Sequence, residues 1–174
     1  MTILPDLLQR DLDLVICGTG AGRQSAERGA YYAGDGNRFW QTLAEVGLTP
    51  AQLEPSRARE LLALGIGLTD LVKEAAGSDA ELSFSIVDVM RLRLTIMSHR
   101  PWYVCFNGKR AAKEFLRVRE VEYGVHGRLG RTTLFVAPST SGLARATWDI
   151  RPWQELARRV RRPRHTNRDR YRSV

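Results

Sequence analysis

The 174 residues are 43% hydrophobic, enough for one sizeable core and short for two, and no run approaches the roughly 18 apolar residues of a membrane span. The start "MTILPDLLQRDLD" lacks the basic-then-apolar order of a secretion signal, so a cytoplasmic globular domain is expected. The net charge of +8 is lopsided, because Arg158 to Val174 holds eight Arg against one Asp and carries +7 of it. Residues 1–157 are therefore read as one domain and 158–174 as a basic Arg-rich tail, which raises non-specific affinity for phosphate backbones without establishing DNA binding.

In chain order, "LDLVICG" (12–18) is the first short apolar run closed by glycine, and "GIGLTD" (65–70), "WYVCFNG" (102–108) and "TTLFVAP" (132–138) repeat the pattern. Such runs read as buried strands of a mainly parallel sheet. Helical patterns alternate with them. "NRFWQTLAEVG" ends at Gly47, and "SRARELLALG" has Ser56 as its expected N-cap and Gly65 as terminator. "SFSIVDVMRLRLTIMSHRP" stops at His99-Arg100-Pro101, "GKRAAKEFL" follows, and "RPWQELARRVRR" places Pro152 in its first turn. Four strands alternating with helices predict an α/β fold, a three-layer α/β/α sandwich with a short, mainly parallel central sheet. Ligands in such folds collect beyond the carboxyl ends of the strands, which directs attention to loops 18–36, 69–80, 107–109 and 138–146.

The first of these loops opens with "GTGAGR", which has Gly18, Gly20 and Gly22 but puts Arg23 where a dinucleotide fingerprint needs its last glycine. No acidic residue follows at the distance a ribose requires, and no phosphate loop of the G-x-x-x-x-G-K-[ST] kind is present, so no nucleotide cofactor is expected. The glycines instead suit a flat ligand approaching bare backbone amides. Cys17 and Cys105 close apolar runs and read as free, buried thiols; His99, His126 and His165 are scattered, and no metal is expected.

The ordered blocks "VICGTGAG", "SAERGAYYAGDGNRFWQTLAEVGLTPAQL", "GIGLTDLV", "FNGKRAA" and "LFVAPSTSGLARAT" resemble the mismatch-specific uracil-DNA glycosylases, relatives of thymine-DNA glycosylase in the uracil-DNA glycosylase superfamily. The resemblance runs from about Val15 to Arg145 and implies a uracil-DNA glycosylase-like fold, with double-stranded DNA carrying uracil or another mismatched or damaged base as partner. In that family the motif Gly-x-Asn-Pro-Gly supplies an Asn that positions the attacking water. Here Gly20 stands at the Asn position.

Cleaving an N-glycosidic bond builds positive charge on the sugar and negative charge on the base, so a carboxylate and amide donors are the groups to seek. Asp70 follows the apolar "GIGLT" run and is the candidate to orient or deprotonate water; the alternative is that it caps the turn after it. Asp35, in a turn, and Asp88, within a helix, are weaker candidates. The resemblance implies a base pocket from Gly18, Thr19, Gly20, Ser25 and Tyr32, with backbone N–H groups of Thr19 and Tyr32 toward the base, the Tyr32 ring stacked on it, and Ala30 lining the slot. Tyr31 is read as packing. "PSTSGLAR" matches the family's Asn-Pro-Ser-Gly-Leu-Ser motif with Ser139 and Thr140 in its first two places and Ser141, Gly142 and Leu143 retained. The match implies Leu143 as the wedge that fills the stack behind an extruded base, and Arg145 as a contact to the opposite strand or phosphates. Asn107 and Lys109 lie at a strand end, and Lys109 is a phosphate candidate.

The reading expected from sequence is a monomeric, monofunctional glycosylase that flips uracil from duplex DNA, preferentially opposite guanine, and leaves an abasic site. A catalytically silent mismatch-binding module and a small-molecule nucleotide enzyme are the alternatives.

Overall fold

A computed structural model describes residues 1–161. The apolar runs form β1 (Leu14–Gly18), β2 (Ile66–Asp70), β3 (Tyr103–Asn107) and β5 (Thr132–Ala137), joined by β4 (Gly124–Leu129) in a single sheet of order β2-β1-β3-β5-β4. Every pairing except the antiparallel β4–β5 edge is parallel. Because successive side chains point to opposite faces of a strand, β1 sends Leu14 and Ile16 into one core and Val15 and Cys17 into another. The first core is closed by Phe39, Trp40 and Leu43 of α2 (Phe39–Glu45) and by Trp153, Leu156 and Ala157 of α5 (Arg151–Arg161). The second is closed by Val89, Leu92 and Ile96 of α3 (Ile86–His99) and by Ala111, Ala112 and Phe115 of α4 (Lys109–Leu116). Helices on both faces of the sheet make the α/β/α sandwich anticipated from the sequence.

Several elements depart from the sequence reading. β4 is a fifth strand; its residues are mostly exposed or half-buried and its register is irregular between Val125 and Arg128, so it carries no continuous apolar run to read. The segment Pro55–Leu64 is a 3-10 helix entered through Glu54, which leaves Ser56 inside it and not at the N-cap, while Gly65 ends it in the left-handed conformation, φ 76°. Within loop 18–36 a short helix, α1 (Arg23–Arg28), closes on Gly29. Asp88 lies in the first turn of α3 and not mid-helix, where it completes a half-exposed capping box with Ser85. The basic stretch begins inside α5, where Arg159 bonds Glu155 and Arg161 donates to the Val46 carbonyl at 2.6 Å. The rest of the Arg-rich tail, 162–174, and His165 with it, lies outside the described residues.

Candidate active site

In this strand order β1 lies between β2 and β3, and the chain reaches those two neighbours through helices on opposite faces, so the carboxyl end of β1 is the topological switch point where a crevice opens. Gly18 ends β1 in register with Asp70, the last residue of β2, and Asn107 ends β3 beside them. A Cβ at Gly18 would stand 2.6 Å from Asp70 Oδ1 and 3.3 Å from Tyr32 Oη. No side chain larger than hydrogen fits between strand, carboxylate and phenol. Asp70 therefore faces the glycine wall, and its side chain makes no capping bond among the described residues; the turn after β2 is held instead by Leu71 N–H to the Gly18 carbonyl at 2.9 Å and Val72 N–H to the Thr19 carbonyl at 2.8 Å.

Asp70 is only 3% exposed. Burial pushes its carboxyl up to about 7; the Lys73 ammonium opposes the rise, the Asp6 carboxylate adds to it, and Arg91 opposes it more weakly. A group in this position exchanges a proton near neutral pH, which is what a general base requires. Burial and then the Asp70 charge push the phenols of Tyr31 and Tyr32 and the Cys17 thiol upward, so these neighbours stay protonated.

Tyr32 occupies left-handed backbone space, φ 53°, rare for a side chain of this size. Its ring stacks on Phe39 with centroids 3.8 Å apart and planes at 23°, so one face is covered, and its hydroxyl is buried beside the Asn107 side chain. The sequence pattern shows Phe39 only as part of a helix, with no sign of this stack. The rest of the loop is braced from within by Ser25 Oγ, which accepts from Ala33 N–H at 3.1 Å, and from the loop after β2 by Asp79, which accepts from Thr19 Oγ1 at 2.6 Å. Ala30 is half-buried at the end of α1, its N–H donating to the Ser25 carbonyl. Asp35 is held by Arg28 and Gln24 on the surface. The space a side chain at Gly20 would need is filled by Leu82 Cδ1, 2.9 Å from the position of a Cβ, with the Val72 carbonyl at 3.4 Å.

Loop 138–147 closes the other side of the crevice. Asn107 is buried and binds Thr140 twice, Nδ2 donating to Thr140 Oγ1 at 2.9 Å and Oδ1 accepting from Thr140 N–H at 3.0 Å. Its role is that of a latch between β3 and the loop, a function its place at a strand end only hinted at. Arg38 N–H donates to the Thr140 carbonyl, the Arg38 guanidinium lies 4.7 Å from the Trp148 ring, and a Cβ at Gly142 would meet the Gly36 carbonyl at 3.2 Å. Ser141 caps the short 3-10 helix Gly142–Thr147 by accepting from Leu143 N–H. Leu143 projects from this braced turn 88% exposed, and Arg145 lies beside Gly36 on the same surface. Lys109 pairs with Glu122 at 3.3 Å and lies over the Tyr123 ring.

A family model, "Uracil DNA glycosylase superfamily", matches residues 5–159. The chain belongs to the uracil DNA glycosylase superfamily. Membership carries a uracil-DNA glycosylase-type function and DNA as the molecule bound. The fold is also that of a solved structure from Methanosarcina acetivorans, a candidate uracil DNA glycosylase, at TM-score 0.63 over 90% of this chain and 96% of that one, with 19% sequence identity.

As a superfamily member the chain brings Gly18, Asp70 and Tyr32 to one point, and latches the loop bearing Leu143 and Arg145 to the loop that follows β1. Ser25 and Lys109 stand apart from that point, one bracing a loop and the other ion-paired to Glu122. Among the described residues no group of three or more His, Cys, Asp or Glu is arranged to hold a metal ion, and Cys17 and Cys105 are free and buried. Sequence reasoning passed over Lys73 and Asp6, which lie behind Asp70. A buried lysine in "LVKEAAG" has no signal in its own neighbourhood, since a Lys-Glu pair in a turn reads as solvated.

Proposed function

We propose that this protein is a monofunctional, mismatch-directed DNA glycosylase that extrudes uracil from duplex DNA, preferentially opposite guanine, and hydrolyses its N-glycosidic bond with water handled by Asp70. The observation that carries the reading is the Asp70 carboxyl against the Gly18 wall at the switch point, with an ionisation near neutral pH. In the order of events, Leu143 enters the stack as the target nucleotide leaves it, which offsets part of an unstacking cost of about a few kcal/mol. The base lies along the backbone of Gly18, Thr19 and Tyr32, against the Tyr32 ring face that Phe39 leaves free. Ionised Asp70 then accepts a proton from water attacking the anomeric carbon, while its charge offsets the cation developing on the sugar. Because Asp70 is 3% exposed, base binding is coupled to displacement of the segment carrying Tyr32. Lysine takes no part in a covalent step, so the product is an abasic site in an intact strand. On this reading the protein acts as a cytoplasmic monomer without metal or cofactor.

The test is a base-release panel: labelled duplexes with uracil opposite guanine or adenine, thymine, ethenocytosine or hypoxanthine opposite guanine, and uracil in a single strand, each followed by alkaline cleavage. The expected result is fastest release from G·U and no strand break before alkali. A second reading, a silent mismatch-binding module, is favoured by the filling of the Gly20 position by Leu82 and by the burial of Asp70; it is supported by G·U-selective binding with no base released.

A further inference from the structure

We propose that buried Lys73 and half-buried Asp6 form a charge pair whose work is to set the ionisation of Asp70, making them positioning residues of the active site. The inference rests on the reading of Asp70 as the base. The geometry begins at the N-terminal segment, which is laid along β2: Leu7 bridges Leu68, and Ile3 N–H donates to the Lys73 carbonyl at 2.7 Å. Between these anchors Asp6 accepts from Thr69 Oγ1 at 2.8 Å and from Lys73 Nζ at 2.7 Å. Lys73 turns inward. Its side chain is 8% exposed, and Nζ also donates to Tyr31 Oη at 2.9 Å, 5.5 Å from the centroid of that ring. Thus one member of the pair is bonded to Thr69, the residue before Asp70, and the other to Tyr31, the residue before Tyr32.

An ion pair with its lysine buried is a poor way to stabilise a fold, because desolvation of the ammonium offsets much of the attraction. What an apolar pair cannot supply is a field at the neighbouring carboxyl. The groups that bear on Asp70 come from every element around it: Cys17 from β1, Tyr31 and Tyr32 from the loop after α1, Lys73 from the turn after β2, Asp6 from the N-terminal segment and Arg91 from α3. Cys17, Tyr31 and Tyr32 stay protonated in the working range, which leaves Asp6, Lys73 and Arg91 as the charges. Arg91 belongs to the same cluster, donating to the Asp70 and Leu71 carbonyls at 2.6 and 3.0 Å and pairing with Asp6 at 3.9 Å; it acts on Asp70 with the same sign as Lys73 and is common to every variant below. Asp6 and Lys73 also line a cavity of about 470 Å³ open between the N-terminal segment and α3, on whose surface Arg91, Glu74 and Asp88 lie. The two charges act on Asp70 with opposite sign, Lys73 favouring its ionised form and Asp6 disfavouring it.

Opposite signs give a test that a merely structural role does not pass. The acid limb of kcat/KM for uracil release from a G·U duplex is measured for the full-length wild type, Lys73→Met, Asp6→Asn and Lys73→Arg, with Asp70→Asn as control. Lys73→Met moves the limb to higher pH and Asp6→Asn to lower pH, each by about half a pH unit or more, while Lys73→Arg restores the wild-type position. If Lys73→Met is too unstable to purify, the downward shift of Asp6→Asn and the unmoved limb of Lys73→Arg decide the matter. Limbs that stay put, or that move in one direction for both charge-removing variants, overturn the proposal while an inactive Asp70→Asn leaves the base assignment standing. Equal release by Asp70→Asn, or none by the wild type, overturns the base assignment and this inference with it.

Discussion

Replacing Asp70 with Asn should make the folded protein more stable as pH rises, at the same time as it removes activity. The carboxyl is 3% exposed, and its proton is held to about 7 against an ordinary 3.8, chiefly by burial. Since the unfolded chain gives up this proton first, the group's contribution to stability is complete below a pH of about 4 and is lost as pH climbs through about 7. At about 1.36 kcal/mol per pH unit, the displacement amounts to about 4 kcal/mol as a ceiling. The amide is close in shape and does not titrate, so the variant lacks this loss altogether. Urea unfolding of both proteins across pH 4 to 8.5 reads the difference directly, since every other titrating group is common to both. The stability of Asp70→Asn relative to wild type should climb by about 3–4 kcal/mol across that range, most of it between about pH 4 and 7. Parallel stability curves would refute the reasoning, because they would place the carboxyl in water and not against the Gly18 wall.

Two further outcomes concern the loop that carries the proposed wedge. Leu143→Ala removes an 88% exposed side chain, so stability should change by no more than about 0.5 kcal/mol, while release from duplex DNA falls about tenfold or more and release from a single strand changes much less; equal losses on both substrates would remove Leu143 from base extrusion. Asn107→Ala breaks both bonds to Thr140 and leaves a buried hydroxyl and N–H without partners, which should cost about 2–3 kcal/mol in urea unfolding. A stability loss under about 0.5 kcal/mol would show that the latch is made elsewhere.

The parts of the molecule that the sequence disclosed are those whose burial leaves a pattern. β1, β2, β3 and β5 are covered on both faces of the sheet and so read as unbroken apolar runs, whereas β4 has mostly exposed or half-buried residues and left nothing to read. The Ser85-to-Asp88 spacing matches a capping box, but the apolar pattern that begins at Ser83 extends the helix two residues too far and hides Asp88's place in the first turn. In the candidate site, Asp70 and Gly18 follow from the rule that strand ends meet at a crevice. Their mutual fit does not, because a 2.6 Å approach between residues 52 positions apart is a property of sheet register. Lys73 and Asp6 stayed hidden for a related reason. Each is an ordinary surface residue in its local sequence, and only the path of the N-terminal segment along β2 brings them together under Asp70.

The central claim is that an acid at the end of β2 handles the water of a glycosidic hydrolysis. The most direct measurement is single-turnover release of uracil from a G·U duplex at pH 8, enzyme in excess, for wild type and Asp70→Asn alongside their affinities for the same duplex. The expected result is release by the wild type, a rate lower by about 10²- to 10⁴-fold in the variant, and duplex affinity within a few-fold of wild type. Release at equal rates by the two proteins would contradict it.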